Sequence, residues 1–196
     1  MSDPRPARRP GGRTARIRAD VHRAVDELLR EQPATELTIA RIAERSGVHL
    51  GTLYRRWGSA DGILVDVVGE RLTARSPVPD TGDFSRDMET YAREAAEDLS
   101  GPEGILFLRA LVAVRLGNDT EDDLPPTLAH RFDEMQAMLD RAAARGVDVP
   151  SAQDVFEIII APLVAGLLFG TEPSGPDATA RLVDRLHRLT GHRAVG

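Results

Sequence analysis

The stretch from Leu37 to Trp57, LTIARIAERSGVHLGTLYRRW, holds the residues most able to do chemistry. Its apolar spacing predicts two short helices with a Gly-containing turn between them. Ala43 is small where the two helices must cross closely, and Gly47 is free to take positive φ in a tight turn. Val48 and Leu53 would pin the second helix against the first. His49, Leu50, Gly51, Thr52, Tyr54, Arg55 and Arg56 are then left facing outward. That set suits a DNA groove. Gly51 and Thr52 permit close approach, Thr52 can meet a base edge or a thymine methyl, and Arg can bond guanine or phosphate. Tyr54 offers a hydroxyl to a phosphate. Thr38 is placed to cap the first helix, whose free amides can hold another phosphate. Arg13, Arg16 and Arg18, at the start of the preceding helix, add candidate backbone or minor-groove contacts.

Other chemistries find little support. The chain has no Cys, which excludes a disulfide framework, a zinc-thiolate site and a cysteine nucleophile. The five histidines, His22, His49, His130, His187 and His192, make no zinc-like spacing, so no metal is expected. No phosphate-binding loop, dinucleotide fingerprint or nucleophile elbow is present, and no cofactor or catalytic residue is assigned. Arg109 and Arg115 stand within an apolar helix and would need an acidic partner or an anionic ligand if buried.

The elements that must carry these residues are all helical. The chain has 196 residues, 41% of them hydrophobic and 4% aromatic, with Ala, Leu, Arg and Glu prominent. The net charge of −6 hides an asymmetry: residues 1–60 hold 12 Arg against seven acids, and the remainder is strongly acidic. A basic first third on an acidic body suits an anion-binding module. Residues 1–13 read as a flexible basic arm. A helix is expected from Thr14 to Gln32, a second behind Thr38 and a third over roughly 49–56. A fourth should run from Ala60 to about Ala74, and a fifth should start at Phe84 behind Asp83. A sixth, over 103–116, is apolar nearly all round and should be central. A seventh is expected over 125–145. The eighth, from Ser151 to Phe169, should be kinked by Pro162, and the last is opened by Pro176. An acidic loop is expected at 119–123. The result is an all-α chain of about nine helices. The longest uncharged apolar run, 158–171, is short for a membrane span, and no apolar leader precedes the arm, so a cytoplasmic protein is expected.

Leu37 to Leu64, read as L-T-I-x-x-I-A-x-x-x-G-V-x-x-G-T-L-Y-R-x-W-x-S-x-x-x-L-L with Ile63 in the penultimate place, resembles the N-terminal domain of TetR-family transcriptional regulators. Gly47-Val48 and Gly51-Thr52-Leu53-Tyr54 are the most specific parts of the match. One departure stands out. The family usually carries a phosphate-touching Lys where this chain has Ala60, which removes a backbone contact.

The resemblance implies a helix-turn-helix head at 14–58 joined by helix 4 to a ligand-binding and dimerisation body at 59–196. It implies a homodimer on a palindromic operator in double-stranded DNA, released by a small-molecule effector of unknown identity. Met88, Tyr91, Phe107, Leu111, Phe132, Met135, Met138, Phe156 and Ile160 are the candidate ligand contacts. Core packing is the competing reading for each. The last two long helices carry surplus apolar residues, Ile159, Val164, Leu168, Val183 and Leu186, expected at a four-helix dimer interface. The alternative is that Pro162 turns this surplus into the chain's own core. A helical enzyme or carrier with an incidental basic N-terminus is the competing function. The motif at 47–54 favours the regulator.

Overall fold

The computed structural model describes residues 11–117, 124–171 and 177–189. Nine helices and no strand occur among them. In chain order they are α1 (Gly11–Glu31), α2 (Ile39–Ser46), α3 (Leu50–Trp57), α4 (Ala60–Arg75) and α5 (Phe84–Ser100). They continue with α6 (Pro102–Gly117), α7 (Pro126–Ala144), α8 (Ala152–Phe169) and α9 (Ala178–Leu189). A short 3₁₀ turn, Ala34–Glu36, links α1 to α2.

The ends of these helices follow local chemistry. The Thr38 hydroxyl accepts the Arg41 N–H, and α2 closes on Gly47 at φ 68°. Ser59 accepts the Gly62 N–H to open α4, and Asp83 accepts the Arg86 N–H to open α5. Each such cap satisfies a backbone donor that the helix itself cannot. The α4–α5 loop is held from inside: Asp87, almost fully buried, accepts both the Thr81 N–H and the Thr81 hydroxyl.

Two apolar clusters make the core. The first gathers Val21, Val25 and Leu28 of α1, Ile39 and Ile42 of α2, Leu53 of α3, and Ile63, Leu64, Val67 and Val68 of α4 against Phe107 and Leu108 of α6. The second joins Phe84, Met88 and Tyr91 of α5 to Met135, Met138 and Leu139 of α7, Val155, Ile159 and Leu163 of α8, and Leu182, Val183 and Leu186 of α9. Helix α4 thus packs on both the head and the body.

Several expectations need correction. Helix α1 begins at Gly11, ahead of Thr14; the arm's first ten residues, the acidic loop at 119–123, Pro176 and His192 lie outside the described residues. Helix α6 is not central. Gly104, Phe107, Leu108 and Ala110 are buried, whereas Ile105, Val112 and Leu116 are exposed, because only one side packs on its neighbours. In place of a plain proline kink, α8 contains a π-helical turn, Phe156–Ile160, where the Ala161 N–H donates to the Phe156 carbonyl. Pro162 has no N–H to give and its ring crowds the preceding turn; widening that turn accommodates it. Helix α8 is long and apolar enough, by length and composition alone, to cross a membrane. Six of its apolar residues have partners or a cavity within the chain, whereas Leu168 and Phe169 are exposed. Val155, Ile159 and Leu163 enter the second cluster, and Phe156, Ile160 and Val164 line a cavity.

Ile159, Val183 and Leu186, expected at a dimer interface, are interior, at 0%, 2% and 0% exposure. They pack where α9 meets α5 and the π-helical turn of α8, so the surplus apolar surface is used by the chain's own core. Of that set, Leu168 remains on the surface and Val164 is half-buried.

Candidate functional site

The head is built on α3. Leu53 is fully buried and fixes the helix against α1 and α2. That leaves Leu50, Gly51, Tyr54, Arg55 and Arg56 exposed, with Thr52 half-buried. Tyr54 is more open than Leu50, at 52% exposure. His49 does not sit within the helix. It caps it, its Nδ1 accepting the Gly51 N–H at 3.1 Å. Gly51 is small for a reason visible here: a Cβ on it would come within 3.3 Å of that imidazole. Arg56 lies over the Trp57 ring, 5.0 Å from its centroid. Arg13 and Arg16 are exposed on the first turns of α1. Helix α2 is clamped to α1 by Arg45, whose guanidinium donates to Glu31 at 2.8 and 2.9 Å.

Arg18 is the exception among the candidate DNA contacts. It turns away from the exposed face and donates to Asp66 of α4 at 2.8 and 3.1 Å. Asp66 also receives the Trp57 indole N–H at 3.0 Å and faces His22 Nε2 at 3.2 Å, while His22 Nδ1 faces Glu70 at 3.1 Å. Burial alone would push the Asp66 carboxyl up. Hydrogen bonds from His22, Arg18 and Trp57, with the Arg18 charge, outweigh it and hold the group well below the usual carboxylate range. One carboxylate therefore ties α1, the end of α3 and α4 together. Sequence reading missed it, since a lone Asp in an apolar helix gives no signal of its own. Further along α4, Arg71 pairs with Asp26 of α1 and with Glu103 of α6, and Arg75 pairs with Asp98 and Glu103.

The body contains a cavity of about 630 Å³ between α4, α5, α6, α7 and α8. Tyr91, Phe107, Leu111, Phe132, Met135, Phe156 and Ile160, all expected to face a ligand, line it. Met88 and Met138, expected there too, do not. Both are fully buried in the second cluster, on the core side of α5 and α7. Val164 lines the cavity as well, and Leu168 stands at its open edge with most of its side chain exposed. The polar lining is sparse. Thr127 and Arg131, one turn apart on α7, were missed by sequence reading because that helix was scored on its apolar stripe. The Arg131 guanidinium lies 5.3 Å from the Tyr91 ring centroid. Burial pushes the Tyr91 phenol up, against a downward pull from Arg131. Arg109 is exposed; Arg115, also exposed, reaches the cavity rim. At the floor, Gly69 of α4 is close-packed: a Cβ there would be 3.1 Å from both Phe107 Cε2 and Thr127 Oγ1.

Two short helices meeting at a left-handed glycine, with a basic outward face and a separate helical body, define a helix-turn-helix transcriptional regulator rather than an enzyme. The comparisons agree. Residues 23–67 match the family model described as bacterial regulatory proteins, tetR family, and residues 78–186 match the tetracyclin repressor-like C-terminal domain. The chain belongs to the TetR family. The HTH-type transcriptional regulator AqdR of Rhodococcus erythropolis is 29% identical over 155 residues, covering 79% of this chain and 74% of that protein. Among solved structures, a TetR transcriptional regulator from Rhodococcus sp. RHA1 superposes with TM-score 0.56 at 18% identity, covering 94% of this chain and all of that one. The multidrug binding protein EbrR, complexed with imidazole, gives 0.53 at 21% identity, covering 96% and 97%. At these identities the structures attest the fold.

Proposed function

We propose that this chain is a cytoplasmic, homodimeric repressor that leaves a palindromic operator when a small molecule fills the cavity of its body. The observation that carries the reading is the position of α4. Gly69, Leu72 and Thr73 form part of the cavity wall, and Asp66, one turn earlier on the same helix, holds α1 and Trp57. A ligand that displaces the cavity side of α4 therefore acts on the joint that orients the head. In a dimer this changes the spacing of the two α3 helices and their fit to successive major grooves. The effect on DNA affinity is bounded by the ligand's preference between the two arrangements, about 1–3 kcal/mol of coupling. The similar fold of EbrR, a multidrug binding protein complexed with imidazole, supports a reading in which this chain too takes a small molecule.

On the DNA side, α3 supplies Thr52, Tyr54, Arg55 and Arg56, with Leu50 and Gly51 at its leading end. Gly47 and His49 shape the turn that presents them. Thr38 opens α2 toward a phosphate, and Arg13 and Arg16 add backbone contacts. Dimerisation is assigned to α8 and α9, with Leu168 as the member of the expected set still on the surface. The test is a mobility shift on DNA flanking the protein's own gene, with and without small molecules that co-purify and are identified by mass spectrometry. A retarded complex dispersed by such a molecule supports the reading. Absence of any sequence-specific complex refutes it.

A further inference from the structure

The chemical class of the effector is legible in the cavity wall. This inference rests on the ligand-relieved reading above and deepens it. The wall is mostly apolar, with aromatic rings from Phe107, Phe132 and Phe156. Besides Thr73, Arg115 and Gln153, two polar groups contribute from one face of α7. Thr127 Oγ1 is buried and has no hydrogen-bond partner. Arg131 Nη1 is likewise buried without a hydrogen bond, and the nearby Glu134 carboxylate is 3.5 Å from it, long for a charge-assisted bond. Asp98 also lines the cavity, but its carboxylate is engaged by Arg75 at 2.8 Å.

The Arg131 guanidinium, on a side chain 20% exposed, has only donors to offer, and a threonine hydroxyl can donate. The Thr127 hydroxyl and the Nη1 donor of Arg131 are costly to leave without hydrogen bonds in a mostly apolar wall. The complementary ligand group is a hydrogen-bond acceptor carrying negative charge. The Tyr91 ring under Arg131 limits the plane the fork can adopt, which favours a planar two-oxygen head. A volume of about 630 Å³ leaves room for a large apolar body beyond that head. We propose that the cavity takes an amphipathic organic acid, its carboxylate received by Arg131 and Thr127 and its apolar part lying along Phe107, Phe132 and Phe156.

The experiment is calorimetric titration of the full chain with dodecanoate, hexadecanoate and naphthoate, each beside its methyl ester. At least one acid should bind, with its ester weaker by about tenfold or more, the loss expected when a charge-assisted hydrogen bond to Arg131 is replaced by a neutral one. Arg131→Gln should weaken acid binding by a similar factor and leave ester binding unchanged. Thr127→Val, which removes only a hydroxyl, should weaken the acid a few fold, and it carries the test if Arg131→Gln does not fold. Retained operator binding by each variant without ligand shows that it is folded. The proposal is overturned if no acid binds, if esters bind as tightly as acids, or if neither variant changes acid affinity. An acid that binds through Arg131 yet leaves operator affinity unchanged supports the ligand class and refutes the relief mechanism.

Discussion

Replacing Asp66 tests the joint on which the signalling argument depends. Its side chain is 16% exposed and receives Arg18 twice, the Trp57 indole once and a His22 contact. Asp66→Ala leaves a half-buried guanidinium and an indole N–H without their acceptor. Breaking a buried pair from one side costs about 3–5 kcal/mol; Arg18 is 34% exposed and can rehydrate, which places the loss near the lower end, about 3 kcal/mol. For a chain of this size that is a fall in Tm of roughly 6–12 °C at fixed protein concentration. Asp66→Asn keeps an acceptor oxygen and should lose about half as much. The sign of the pH dependence follows from the depressed carboxyl. Its contribution is complete above the ordinary carboxylate pKa of about 4 and is lost as pH falls through the folded value, so the wild type should weaken on acidification and Asp66→Asn should do so less. The assay is urea unfolding followed by circular dichroism between neutral and acid pH, with fluorescence in parallel. Trp57 is the one tryptophan in the chain, so its emission reports this joint alone. Wild-type stability in both variants, with unchanged emission, would refute the reasoning.

Three further outcomes are expected. Tyr54→Ala and Arg55→Gln should weaken operator binding with the fold intact, and the Arg variant should lower the salt slope by about 0.9 for each phosphate that is no longer neutralised; unchanged affinity and slope would remove α3 as the reading helix. Gly69→Ala forces Phe107 and Thr127 to yield by a few tenths of an ångström, so it should reduce ligand affinity more than ligand-free operator affinity, which titration and mobility shift would separate. Leu168→Glu, at an exposed position of α8, should raise the dimer dissociation constant in sedimentation without unfolding the chain, whereas Val183→Glu should unfold it by burying a charge in the second cluster. A stable Val183→Glu monomer would contradict the interior placement.

The local elements were legible because local chemistry sets them. Thr38, Ser59, Asp83 and Ser151 each cap the helix expected behind them, and Gly47 and Gly170 close helices in the left-handed region where a side chain is strained. The recognition helix was legible for the same reason, since its short period leaves one consistent inward residue, Leu53. Seven of the nine expected ligand contacts line the cavity because an amphipathic helix in a small body turns its aromatic stripe inward. Met88 and Met138 show the limit, as the same stripe also feeds the core.

What the sequence by itself determined is the set of helices, most of their ends and the exposed face of α3. These follow from interactions within about four residues along the chain, or from one short turn. The tertiary structure alone decided which neighbour each apolar face meets. Helix α6 is apolar nearly all round, so its pattern selects a face only weakly, and packing on α4 made the choice. Ile159, Val183 and Leu186 look like an interface until α5, α8 and α9 are seen to pack on one another there. Arg18 carries the same charge as Arg13 and Arg16, yet Asp66, 48 residues away, claims it. Arg131 becomes a ligand candidate only where Tyr91 and an apolar enclosure surround it. A side chain's charge and size are local properties, whereas its burial and partner depend on residues far along the chain.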